Sequence, residues 1–139
     1  LKQKYTIDLV HQNCKPRFYH EYALSKLKGS GYKIACGSNS VMDSIQIMLE
    51  KSHLVGYMDL IVSAQDVKNP KPSSEIYDKI ISEFNLKPDE CLIIEDNENG
   101  IKAAKASGAH VMIVKEVDEV NIVNIENKIN KINKSEDNT

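Results

Sequence analysis

Four short, uniformly apolar runs alternate with stretches of helical periodicity, and this alternation restricts the fold more than any other feature of the chain. The runs are Ile34-Ala35-Cys36, Leu60-Ile61-Val62, Leu92-Ile93-Ile94 and Val111 to Val114. A strand apolar at every position is buried on both faces, as in parallel sheets covered by helices. Tyr19, Ala23, Leu24 and Leu27 recur at helical spacing before Gly29 and Gly31. Val41, Ile45, Met48 and Leu49 mark a second helix, with Ser40 and Asp43 spaced as a capping box. Ile76, Tyr77, Ile80, Ile81 and Phe84 mark a third, starting at Ser73 or Ser74 just after Pro72. Ile101, Ala103, Ala104 and Ala106 form a short fourth, closed by Gly108. The pattern predicts an α/β fold: a Rossmann-like, three-layer α/β/α parallel sheet. A length of 139 residues suits one domain with a real core.

The ends differ from this body. Residues 118–133 place Val120, Val123 or Ile122, Ile125, Ile129 and Ile132 on one helical face, expected to pack on the chain's own sheet. Several asparagines weaken that helix, and residues 134–139 read as a disordered tail. Residues 1–14 carry weak helical or strand signal and end at Lys15-Pro16.

Composition narrows the partners. A net charge of −2 supplies no basic excess for nucleic acid or an anionic membrane. No apolar run approaches the ~20 residues of a membrane helix. Cys14, Cys36 and Cys91 lack C-x-x-C spacing, so neither a disulfide scaffold nor a zinc knuckle is expected, and a reducing cytoplasm is the default location. His11, His20, His53 and His110 show no metal-ligand spacing and read as surface or loop residues.

In open α/β sheets, ligands bind beyond the carboxyl ends of the strands, so the residues after each run matter most. Gly37-Ser38-Asn39-Ser40 follows the first run. A small hydroxyl and backbone N–H groups at a helix N-terminus suit phosphate, although plain capping by Ser40 would explain them equally. Glu95-Asp96-Asn97 follows the third run. Two carboxylates leaving a buried strand require compensation by a cation or hydrogen bonds. Magnesium takes one or two such groups and keeps room for phosphate oxygens and water, while an Asn97 cap with acids at a helix N-terminus is the bland alternative. Between them, Asn69-Pro70-Lys71-Pro72 stiffens the backbone around one lysine, a potential point charge for a phosphoryl group.

Taken together in this order, these elements resemble the haloacid dehalogenase-like superfamily, in its phosphatase and β-phosphoglucomutase-like branch. The segment Lys33-Ile-Ala-Cys-Gly-Ser38-Asn-Ser resembles that family's second motif, and Asn69-Pro-Lys71-Pro-Ser-Ser-Glu-Ile-Tyr77 its third. The stretch from Cys91 through Glu95-Asp96, Gly100, Ala103 and Ala104 to Gly108 resembles its fourth. The resemblance implies that Ser38 and Lys71 are catalytic, that Ser38, Asn39 and Lys71 bind phosphate, and that Glu95 and Asp96 hold Mg2+. It implies a phosphatase or phosphomutase acting on a small phosphorylated metabolite by positioning and electrostatic stabilisation. The acidic pair favours phosphate chemistry over halide displacement. A receiver-like signalling domain shares the parallel sheet and acidic pocket, but carries its acidic pair near the chain start.

One part of the family pattern is missing. The first motif, an apolar strand ending in D-x-D-x-T, supplies the nucleophilic aspartate, and no D-x-D occurs here. Tyr5-Thr-Ile-Asp8-Leu-Val10 offers a single aspartate as a degenerate substitute. The preferred reading makes residues 1–14 a remnant of the last helix of the family's helical cap, or a linker, in a chain entered partway through its parent protein. The core would then lack its first-motif strand, and the chain would be inactive by itself. A non-catalytic phosphate- and metal-binding or regulatory module is the alternative. Two apolar strands flanking the gap would expose unpaired backbone groups at ~1–3 kcal/mol each, against a total stability of ~5–15 kcal/mol. A compensating strand is therefore expected: residues 4–10, direct pairing of the flanking strands, or a complementing segment from another polypeptide.

Overall fold

A computed structural model describes residues 4–7 and 17–137. Its elements, in chain order, are β1 (Lys4–Ile7), α1 (Phe18–Gly29), β2 (Lys33–Gly37), α2 (Met42–Lys51), β3 (Leu60–Val62), α3 (Glu75–Glu83), β4 (Cys91–Glu95), α4 (Glu98–Ser107), β5 (His110–Ile113) and α5 (Ile122–Asp137). The strands form one five-stranded sheet in the order β3-β2-β1-β4-β5, parallel at every pairing. All four apolar runs are strands, as their uniform apolarity requires.

Helices cover both faces, and strand alternation decides which residue meets which layer. Ile34, Cys36, Leu92 and Ile94 face a core completed by Leu24 and Leu27 of α1, Ile45 and Leu49 of α2, and Ile125 and Ile129 of α5. Ala35 and Ile93 point the other way, onto Ile76, Tyr77 and Ile80 of α3 and Ala103 and Ala104 of α4. In β4, Glu95 has the parity of Ile93, which directs it into the layer of α3 and α4. That placement decides the chemistry described below.

The gap between β2 and β4 is filled. β1 pairs with both, Tyr5 opposite Ile34 on one side and Leu92 on the other, with Ile7 opposite Ile94. This corrects two expectations: Lys4–Ile7 is not part of a cap-helix remnant, and the core does not lack a strand at the first-motif position. The reason is the backbone bookkeeping given above, since two parallel, buried edges need donors and acceptors. Residues 1–3 and 8–14, including Asp8 and Cys14, lie outside the described residues.

Other departures are local. Ser40 and Asp43 do not cap α2. Its N-cap is Val41, and the Met42 N–H donates instead to Gln65 Oε1 at 3.0 Å. Ser74 is the N-cap of α3, although its side chain makes no capping hydrogen bond. The Ser73 hydroxyl accepts from the Glu75 N–H at 3.2 Å. α4 ends as expected, at Gly108 with φ +84°. α5 runs on to Asp137, so the tail expected from residue 134 is helical over residues 134–137; Ile129 and Ile132 anchor the preceding turns in the core. His20 is buried in α1 rather than on the surface, its Nε2 donating to the Val117 carbonyl at 2.9 Å. Cys36 and Cys91 are buried. No described helix is long and apolar enough to cross a membrane.

Candidate functional site

The carboxyl ends of β2 and β4 and the loop before α3 meet at a cavity of about 180 Å³. Ser38, Asn39 and Ser40 line it from the β2 end, Lys71 from the loop, and Glu95 and Asn97 from the β4 end, with Asn99 and Gly100 of α4 closing it. Ser38, Asn39, Lys71 and Glu95, selected from sequence, therefore converge. Asp96 stands next to Glu95 on the exposed side of the same turn and does not line the cavity. A larger groove of about 280 Å³ lies between α1 and α5, away from the strand ends.

Lys71 and Glu95 form a buried ion pair. Lys71 Nζ donates to Glu95 Oε2 at 2.7 Å and to the Gly37 carbonyl at 3.0 Å. The two side chains are 5% and 0% exposed, so each is the condition for burying the other. Burial lowers the Lys71 ammonium from its ordinary value, and the carboxylates of Glu95 and Asp96 act against that. Glu95 Oε2 accepts a second bond, from the Tyr77 hydroxyl. Its Oε1 accepts from the backbone N–H of Asp96 at 3.2 Å and of Asn97 at 3.5 Å.

Two further side chains hold the frame. The Asn39 carboxamide grips the Lys71 backbone from both ends: its Oδ1 accepts from the Lys71 N–H at 3.0 Å, and its Nδ2 donates to the Lys71 carbonyl at 3.3 Å. This side chain is thus taken up in holding the lysine loop. Asn97 caps α4, accepting from the N–H groups of Asn99 and Gly100, so the capping role set beside the metal reading is real and coexists with the acidic pair. Ser38 is 2% exposed, and its Oγ accepts from the Ser40 N–H at 3.2 Å.

Gly100 and Tyr77 complete the site and were not singled out as site residues in the sequence. A Cβ on Gly100 would stand 2.1 Å from Glu95 Cδ, so only glycine lets α4 lie on this carboxylate. Tyr77 sits among isoleucines on the apolar face of α3 and reads as core in the sequence. The available signal was the parity of β4, which turns Glu95 toward that face.

The arrangement offers a buried cation and a hydroxyl at one small cavity, with an exposed carboxylate beside it. Among the described residues no three His, Cys, Asp or Glu side chains gather as a metal site; Glu95 and Asp96 are the acids present. With the bonds of Glu95 directed inward, Asp96 is the carboxylate turned outward. Partial burial and then the neighbouring Glu95 raise its carboxyl above the ordinary aspartate value, a strain that a bound cation would relieve.

Known proteins resemble this chain in sequence and fold. The chain is 31% identical to a phosphorylated carbohydrates phosphatase of Thermotoga maritima over 86 residues, 62% of this chain and 40% of that protein. It is 29% identical to a phosphoglycolate phosphatase of Nitrosospira multiformis over 91 residues, 66% of this chain and 40% of that one. The chain thus spans about 40% of the length of these curated relatives. The crystal structure of β-phosphoglucomutase from Clostridium difficile superposes with a TM-score of 0.70 at 23% identity, over 84% of this chain and 56% of that one, and so shares the fold. The family model of the haloacid dehalogenase-like hydrolases matches residues 1–114, and on that match, which takes in the whole sheet and both halves of the cavity, this protein belongs to that family.

Proposed function

We propose that these residues are the greater part of a magnesium-dependent phosphoryl-transfer site, acting in the parent enzyme as a phosphatase or phosphomutase on a small phosphorylated metabolite. The observation that carries this reading is the meeting of Ser38, Lys71 and Glu95 at one cavity formed by the ends of β2 and β4, with Asp96 next to Glu95 on the exposed side of the turn. Ser38 donates its hydroxyl to a phosphoryl oxygen, and Lys71 supplies the fixed positive charge. Asn39 holds the Lys71 backbone so that the charge stays at the wall. Asp96 is the outward carboxylate for Mg2+, with Glu95 behind it. Bound there, the cation neutralises charge on the transferring group. The relatives' names, a phosphorylated carbohydrates phosphatase and a phosphoglycolate phosphatase, fit a small organic phosphate.

The sequence has no D-x-D pair, so by itself the chain is expected to bind phosphate in the presence of Mg2+ and to hydrolyse little or no p-nitrophenyl phosphate. Isothermal titration with inorganic phosphate tests binding, which Lys71→Met should abolish. Absence of binding by the unaltered chain refutes the reading. Turnover that disappears in Asp8→Asn would show instead that Asp8 serves as the nucleophile. The missing pair also favours a second reading, a non-catalytic phosphate- and metal-binding or regulatory module. A longer gene product that binds phosphate and Mg2+ yet turns over no phosphate ester would select it.

A further inference from the structure

We propose that Tyr77 is a positioning residue of this site: its hydroxyl fixes the Glu95 carboxylate between α3 and α4 and thereby sets where Lys71 and the Asp96–Asn97 turn stand. The inference rests on the phosphoryl-transfer reading for its functional consequence, but its structural content stands on separate contacts.

Tyr77 is fully buried on a helix face otherwise made of isoleucine, where a phenyl ring would fill the same space without bringing in a hydroxyl. The hydroxyl is used: it donates to Glu95 Oε2, the oxygen that also takes Lys71 Nζ. The ring is used as well, since Lys71 Nζ stands 4.8 Å from its centroid. One side chain therefore touches both members of the ion pair. Burial, and then the Glu95 carboxylate beside it, push the phenol well above its ordinary value, which keeps it a protonated donor.

The other sides of the carboxylate are already closed. Gly100 lies against it so tightly that no Cβ fits, and Oε1 points to the N–H groups of Asp96 and Asn97. The Tyr77 hydroxyl is the remaining stop, on the α3 side. Without it the carboxylate can swing toward α3, drawing Lys71 from the cavity wall and releasing the two N–H groups that shape the turn carrying Asp96. Tyr77 is not among the residues lining the cavity, so it acts through Glu95 and not on a ligand.

The test compares Tyr77→Phe with Ile80→Val, a packing change on the same helix face, each in the full chain. Amide NMR reports on the fold and on the Asp96 and Asn97 N–H groups, and titration with inorganic phosphate in Mg2+ reports on the site. Tyr77→Phe is expected to keep the native spectrum, to displace the Asp96 and Asn97 resonances and speed their hydrogen exchange, and to weaken phosphate binding about tenfold, the order of one hydrogen bond to a charged group. Ile80→Val should do none of these at the site. The proposal is overturned if Tyr77→Phe leaves those resonances and the affinity unchanged, or if Ile80→Val reproduces the changes. It is also overturned if Tyr77→Phe loses the native spectrum, since the hydroxyl would then serve folding. If the unaltered chain binds no phosphate, the functional reading fails, and the amide comparison still decides the role of Tyr77.

Discussion

Replacing Gly100 by alanine should destabilise this protein, against the usual direction for such a change. In a helix, Gly→Ala ordinarily gains about 1 kcal/mol from helix propensity. Here the new methyl carbon would fall 2.1 Å from Glu95 Cδ and 2.1 Å from Oε2. The carboxylate must leave, and with it go the hydrogen bonds from Lys71 and Tyr77 to Oε2. Breaking a buried pair by displacing one partner costs about 3–5 kcal/mol, because the other charge stays behind. Setting the propensity gain against this leaves a net loss of about 2–4 kcal/mol. With a urea slope of about 2 kcal/mol per molar, the midpoint should fall by about 1–2 M. Gly29 is the control: a Cβ there meets nothing within 4 Å, so Gly29→Ala should be neutral or slightly stabilising. Equilibrium urea unfolding of both variants decides the matter. A Gly100→Ala midpoint at or above that of the unaltered chain would refute the contact between α4 and the buried acid.

Lys71→Met should cost about 3–5 kcal/mol in the same assay, since it strands Glu95 without its cation; a smaller loss than for a surface lysine such as Lys102 would show that the pair is not buried. Asp96→Asn should lower Mg2+ affinity, measured by titration, without lowering stability. The raised Asp96 carboxyl means that the folded state holds its proton to higher pH than the unfolded chain, so its ionisation opposes folding as pH rises just above ~4; the Asn variant should flatten the stability profile there. Burial lowers the His20 imidazole, so its contribution is fully present above the unfolded value of ~6.5 and is lost as pH falls through the folded one. His20→Gln should remove that slope in urea midpoints below about pH 6.5, and an unchanged slope would assign it to another group.

The sheet was legible from the runs themselves, because a strand buried on both faces leaves no room for polar alternation. β1 was legible only as one of three ways to fill the gap, since Lys4–Ile7 mixes polar and apolar residues and its place follows from what β2 and β4 need on either side. The three clusters of the site could be found because each follows a strand or precedes a helix. What joins them was hidden. Glu95 pairs with Lys71 because β4 turns it toward α3, and Asn39 grips a backbone 32 residues away. Ser40 loses its cap to Gln65, a residue no local window contains. Local signals report the neighbours along the chain, whereas these partners are supplied by the fold.

The strand order also divides the sheet into two wings, β2 with β3 and β4 with β5, joined along β1. With one strand between them, the tips of β2 and β4 stand two inter-strand spacings apart, about 10 Å. Lys71 spans that interval like a rivet, its backbone fastened to Asn39 on one wing and its ammonium to Glu95 on the other. Whatever seizes the ammonium therefore also tugs on the seam, and the grip on a guest and the cohesion of the two wings draw on the same side chain.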